Sequence, residues 1–169
     1  MIEINTKTPW WLIPICYVPV FCYLITQFET SAAVSIALCI SGTTIWTLAE
    51  YLLHRFIFHG EDNWMEYINL NNYIITAHFI IHGIHHAFPQ DALRLVFPPF
   101  AGYNVIGGFV YLPMTLFLPY YLSQPLFFGA LCGYIIYDLV HYFFHHSNPT
   151  DGWFKEMKVY HMQHHYKFG

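Results

Sequence analysis

The sequence predicts an all-α integral membrane protein with four transmembrane helices in two hairpins and a cytoplasmic, histidine-rich helical cap. Three observations carry that reading. The 169 residues are 56% apolar and 21% aromatic but only 9% charged, far below the roughly 25% charged residues of ordinary soluble domains. The apolar residues collect into four long stretches. The twelve histidines fall into four tight groups: His54 and His59; His78, His82, His85 and His86; His141, His145 and His146; His161, His164 and His165.

The stretches are 9–26, 32–49, 101–121 and 125–140, and each approaches the roughly 20 residues a helix needs to cross the hydrocarbon core. Trp10 and Trp11 open the first as interfacial anchors, and it lacks the basic flank and small-residue cleavage site of a secretory signal, so it reads as a retained span. Residues 27–31, with Glu29, form a polar turn that pairs the first two spans. Residues 120–124 join the last two in the same way. Gly107, Gly108, Pro113 and Pro119 predict a kinked or re-entrant course for the second pair. Cys16, Cys22, Cys39 and Cys132 lie inside apolar stretches without a C-x-x-C pair and read as small buried residues. No repeat, low-complexity tract or linker divides the chain, so a single domain over 1–169 is expected.

Orientation follows from Lys7, Arg55, Arg94, Lys155, Lys158 and Lys167, because cytoplasmic loops collect Lys and Arg. Neither proposed hairpin turn contains a basic residue. The N-terminus, the segment 54–100 and the C-terminal tail therefore face the cytoplasm, and every histidine group lies on that side. Net charge is −4 and no basic run suggests a nucleic-acid partner.

Imidazole is the commonest metal ligand when neutral. His82, His85 and His86 are spaced H-x-x-H-H, as are His161, His164 and His165, and on a helix each triplet can present three ring nitrogens toward one volume. His141 and His145 share a face, whereas His146 points elsewhere. His54 and His59, five apart, lie on different faces of a regular helix, and a helix end between them, capped by Gly60, would reconcile them. His78 shares the face of His82 by spacing. Many clustered cationic imidazoles would repel one another, so the set reads as neutral ligands, and its size exceeds the four to six ligands of one metal. Two metal ions are expected, iron in preference to zinc because a structural zinc site closes with four ligands. Glu50, four residues before His54, and Asp138, three before His141, are candidates to orient the ligating rings.

The runs H-R-F-I-F-H at 54–59, H-F-I-I-H-G-I-H-H at 78–86, R-L-V-F-P-P at 94–99, Y-D-L-V-H-Y-F-F-H-H at 137–146 and Y-H-M-Q-H-H-Y-K at 160–167 resemble the membrane fatty acid hydroxylase superfamily. The order of paired histidine, Pro89, Asp91, Arg94 and double proline is most similar to its fatty acid 2-hydroxylase branch, which acts in sphingolipid synthesis. The resemblance implies ten metal ligands: His54, His59, His82, His85, His86, His141, His145, His161, His164 and His165. It leaves out His78 and His146. It also implies a di-iron monooxygenase of the endoplasmic reticulum membrane that uses dioxygen to place a hydroxyl on carbon 2 of a fatty acyl chain.

Cytochrome b5 is the electron donor the resemblance implies. The residues before Thr6 are too few to encode a cytochrome b5 domain, so the expectation is either a separate donor or a sequence that begins after a fusion point, and relatives that continue beyond the position of Gly169 imply that the C-terminal end of the domain is missing here. The histidine boxes by themselves also fit a lipid desaturase or sterol oxidase, or a non-catalytic metal-binding membrane protein. The middles of all four stretches lack Asp, Glu, Lys, Arg and His, which counts against a transport path.

Overall fold

The computed structural model describes residues 7–60, 65–67 and 71–166. Among these the structure is helical, without strands. In chain order the helices are α1 (Leu12–Thr26), α2 (Ala32–Leu53), α3 (Asn72–His78), α4 (Ile84–Ala87), α5 (Pro99–Ile106), α6 (Leu112–Phe117), α7 (Tyr120–His146) and α8 (Gly152–Tyr166). Three π-helical turns intervene, at His54–Phe58, Phe79–Gly83 and Gly107–Tyr111. Contacts divide the chain into two compact units: 11–53 with 98–137, and 1–10 with 54–97 and 138–169.

The first unit holds the apolar helices. Among the described residues, three helical segments are long and apolar enough to cross a membrane: Ala32–Phe58, Pro99–Phe117 and Tyr120–His146. The expected first span appears as the 15-residue α1, about 22 Å long at 1.5 Å per residue and short of the roughly 30 Å hydrocarbon core. Ile13, Tyr17 and Leu24 are its buried residues, and their spacing marks one face.

The last two spans differ from expectation in where they break. Residues 120–124 are the first turn of α7 rather than a loop. The break falls at Leu118, whose backbone is extended (φ −119°, ψ 146°), the conformation imposed on a residue that precedes proline. The expected irregularity near Gly107, Gly108 and Pro113 takes the form of the π-turn Gly107–Tyr111, a known way to absorb a disrupted helical ladder.

Small residues bring α2 and α7 into backbone contact. A Cβ placed on Gly129 would lie 1.9 Å from the Cys39 carbonyl oxygen, and one on Gly42 would lie 2.0 Å from that of Leu126. Only glycine permits that approach, which is how helices associate where no hydrophobic driving force separates them from lipid. The Thr43 hydroxyl uses the closeness to donate to the Gly129 carbonyl at 2.9 Å.

All twelve histidines belong to the other unit, together with the described basic residues Lys7, Arg55, Arg94, Lys155 and Lys158. Its connecting segment 88–97 is ordered by Asp91, whose carboxylate accepts from Leu93 N–H at 3.0 Å and Arg94 Nε at 2.9 Å. Thr8 is tied to it through its N–H, which donates to the Leu93 carbonyl at 2.7 Å. Gly152, with φ +73°, takes the left-handed conformation that turns the chain into α8. Lys158 donates to the Ser147 carbonyl just past the end of α7, satisfying an acceptor of the kind helix ends leave open.

Candidate metal centre

Regular helix assembles one histidine group directly. His141 and His145 are four apart on α7, and His161 and His165 are four apart on α8. With His85 from α4 they place one ring nitrogen each within 4.8 Å of one another. The Nε2 atoms face each other: His145 to His161 at 2.7 Å, His165 to His161 at 3.1 Å, His85 to His165 at 3.0 Å.

Irregular helix assembles the other, from His54, His59, His82 and His164. Here His59 Nε2 meets His82 Nε2 at 3.0 Å, and His54 Nε2 meets His164 Nε2 at 3.2 Å. A helix end capped by Gly60 is not what joins His54 to His59. The π-turn does it: His59 N–H donates to the His54 carbonyl at 3.0 Å, and an i→i−5 bond brings residues five apart nearly into line.

The two H-x-x-H-H triplets therefore do not each converge on one volume. At 100° per residue, the fourth member of such a run lies about 60° to one side of the first and the fifth about 40° to the other. The triplet straddles two points. On α8, His161 and His165 go to the five-histidine group and His164 to the four-histidine group. The earlier box does the reverse: His85 goes to the five-histidine group and His82 to the other. His86 touches both groups, with ring centroids 4.5 Å from His82, 4.9 Å from His59, 4.7 Å from His164 and 4.3 Å from His165. Its Nε2 is buried without a hydrogen-bond partner.

The donor set fits metal ions. Ligands at right angles around a metal with 2.0–2.1 Å bonds to nitrogen sit about 2.9 Å apart, close to the Nε2 separations found here. His82, His85, His145 and His165 are each under 9% exposed. Burial, and then the neighbouring imidazoles, hold His86 and His165 down at about 3 and push His82, His85 and His161 well below the ordinary histidine range. These rings are neutral at physiological pH, with lone pairs available for coordination.

The two remaining histidines do other work. His146 packs its ring 4.8 Å from Tyr142, which in turn packs 6.0 Å from Trp10. His78 reaches the Phe58 carbonyl. Backbone and side-chain groups surround these rings, and the backbone acceptors were not marked in the sequence. His141 Nδ1 donates to the Leu95 carbonyl at 3.1 Å. The buried Asp138 accepts from Phe97 N–H at 3.1 and 3.2 Å, two residues along the same segment. Glu50 accepts a hydrogen bond from Tyr137. Phe58 stacks on His82 at 4.9 Å and 16°. A carbonyl acceptor leaves no mark in residue identity, so only the fold could reveal the first of these.

Comparison with known proteins decides the family. A model of the fatty acid hydroxylase family matches residues 39–169. The chain belongs to the fatty acid hydroxylase family. It is 40% identical over 168 residues to the ceramide very long chain fatty acid hydroxylase of Schizosaccharomyces pombe, covering 98% of this chain and 47% of that protein. It is 38% identical to a dihydroceramide fatty acyl 2-hydroxylase of Arabidopsis thaliana, covering 98% and 68%. It is 37% identical to the fatty acid 2-hydroxylase of Rattus norvegicus, covering 99% and 50%. The chain thus spans about half the length of the fission yeast and rat relatives. The solved structure of full-length scs7p, in which only the hydroxylase domain is visible, matches with a TM-score of 0.87 at 37% identity over 99% of this chain and 62% of that one. Histidine groups able to hold metal ions are in keeping with that family.

Proposed function

We propose that this chain is a membrane di-iron monooxygenase that adds a 2-hydroxyl to fatty acyl chains in sphingolipid synthesis. The observation that carries the proposal is the pair of adjacent, neutral, Nε2-lined histidine groups in a chain of the hydroxylase family. His85, His141, His145, His161 and His165 would hold one iron; His54, His59, His82, His86 and His164 would hold the other. Bound iron would supply the redox chemistry that reduces dioxygen. The net reaction consumes one acyl CH2 next to the carbonyl, one dioxygen, two electrons and two protons, and yields the CHOH and one water.

The chain's own residues supply binding and exclusion. Each neutral imidazole has one ring nitrogen with a free lone pair, and the Leu95 carbonyl fixes the Nδ1–H tautomer of His141 so that its Nε2 is the coordinating atom. Burial of His82, His85, His145 and His165 keeps bulk water from the ligand atoms. Long apolar helices suit an acyl substrate that stays in the bilayer, with cytochrome b5 delivering electrons.

Placement in the membrane is part of the same proposal. All twelve histidines and the described basic residues share one unit, and by the bias of Lys and Arg that unit faces the cytoplasm. We read the 169 residues as one hydroxylase domain in the endoplasmic reticulum membrane, with α1 completing four spans in two hairpins.

Expression with cytochrome b5 in cells lacking their own 2-hydroxylase tests the function. Mass spectrometry should find 2-hydroxylated acyl chains, and the purified protein should carry two irons. Unsaturated or sterol products would favour a desaturase or sterol oxidase. Two bound metals with no lipid product would leave only a metal-binding protein.

A further inference from the structure

His78 stands apart from the ligand set by chemistry as well as by position. In each histidine pair described above one Nε2 faces another, whereas that of His78 lies 2.7 Å from the Phe58 carbonyl oxygen. A carbonyl only accepts, so this Nε2 carries the proton and is the donor. Phe58 closes the π-turn His54–Phe58. Helix ends leave carbonyls without an intrahelical partner, and a π-turn further disturbs the ladder that would satisfy them.

What Phe58 touches gives that hydrogen bond its consequence. Its ring stacks on His82 at 4.9 Å and 16°, and meets His54 edge-on at 6.1 Å. Its backbone belongs to the turn that brings His54 beside His59, whose rings lie 5.1 Å apart. One hydrogen bond from α3 therefore holds a residue in contact with two members of the four-histidine group and adjacent in sequence to a third.

We propose that His78 is a positioning residue for the four-histidine centre, donating Nε2–H to the Phe58 carbonyl so that the π-turn keeps His54, His59 and His82 convergent. This rests on the reading that the group holds a metal ion. It predicts an effect confined to one of the two centres, since no member of the five-histidine group belongs to the π-turn that His78 holds.

The test uses the full chain in detergent, equilibrated with buffered zinc, with bound zinc counted by elemental mass spectrometry. Wild type is compared with His78→Phe, which keeps a ring without a donor, and His78→Gln, whose amide N–H can reach a carbonyl. Wild type should bind two zinc ions. His78→Phe should keep one at wild-type affinity, which also shows that it is folded, and bind the second about 10–100-fold more weakly. His78→Gln should recover to within about threefold of wild type if the donor is what matters.

Wild-type affinity at both sites of His78→Phe would overturn the proposal. So would loss of both zinc ions, or a His78→Gln protein as impaired as His78→Phe. A wild-type protein that binds no zinc would instead remove the metal reading itself, and this inference with it.

Discussion

His141 with His145 and His161 with His165 meet across single turns of regular α-helix, whereas His54 and His59 meet across a π-turn and His82 sits within another. The five-histidine group thus needs only the α-helical period, and the four-histidine group needs a departure from it. The difference extends to their supports. In the first, a carbonyl of the segment that Asp138 holds accepts from His141; beside the second, the Phe58 carbonyl accepts from His78 of α3. Damage to one support should therefore spare the other centre.

The largest break in that comparison is removal of a ligand. His85 lies within 4.8 Å of His141, His145 and His165 by ring centroid, so His85→Ala should strongly weaken metal binding at the five-histidine centre while the other keeps its affinity. The proposed 2-hydroxylase activity should fall by more than about 100-fold, beyond the loss typical of outer partners. Loss of both ions would mean that the two groups behave as one site.

Next in size is the support of the five-histidine centre. Asp138 is 4% exposed and grips Phe97 N–H with both oxygens, while His141, one turn on, grips Leu95. Asp138→Ala leaves the partly buried Phe97 amide N–H without this acceptor and frees the segment carrying the Leu95 carbonyl. Metal affinity at that centre should weaken about 10-fold or more. Asp138→Asn, which keeps an acceptor oxygen, should weaken it less. Equal loss in both variants would point to the charge rather than the hydrogen bond.

These supports also mark where the sequence stops being informative. Apolar stretches and helical spacing made the helices, the convergence of His141 with His145 and the exclusion of His146 readable from residue identity. The division of each H-x-x-H-H triplet between two centres was open to the same arithmetic, because 100° per residue cannot aim all three rings at one point. The π-turns were not, since nothing in H-R-F-I-F-H announces an i→i−5 bond. Nor were the acceptors at Leu95 and Phe58, which are backbone atoms that any residue would supply. The break at Leu118 was written in Pro119, but apolarity carried the expected span past it.

Acid tests what the two groups share. In the metal-free protein, burial and mutual repulsion lower His86 and His165 from 6.5 to about 3, and His82, His85 and His161 are lowered as well. Below about pH 6.5 the unfolded chain takes up protons that the folded chain refuses until its own lower values are reached. Stability is thus full above that pH and is lost progressively as pH falls toward 3. Melting of the metal-free protein in detergent should fall across this window. A melting temperature that stayed flat from about pH 7 to pH 4 would show that the rings are not buried in neutral form.

The smallest effect belongs to the histidine outside both groups and both supports. His146 is exposed and makes its ring contact with Tyr142, part of a small aromatic stack that includes Trp10. His146→Ala should leave two metal ions bound and shift stability by no more than about 0.5 kcal/mol, the range of ordinary surface changes. The measurement is informative because His146 directly follows His145, a member of the five-histidine group. If its removal cost a metal ion, helical spacing would have failed to separate neighbours that are 100° apart, and the division into two centres would need a different basis.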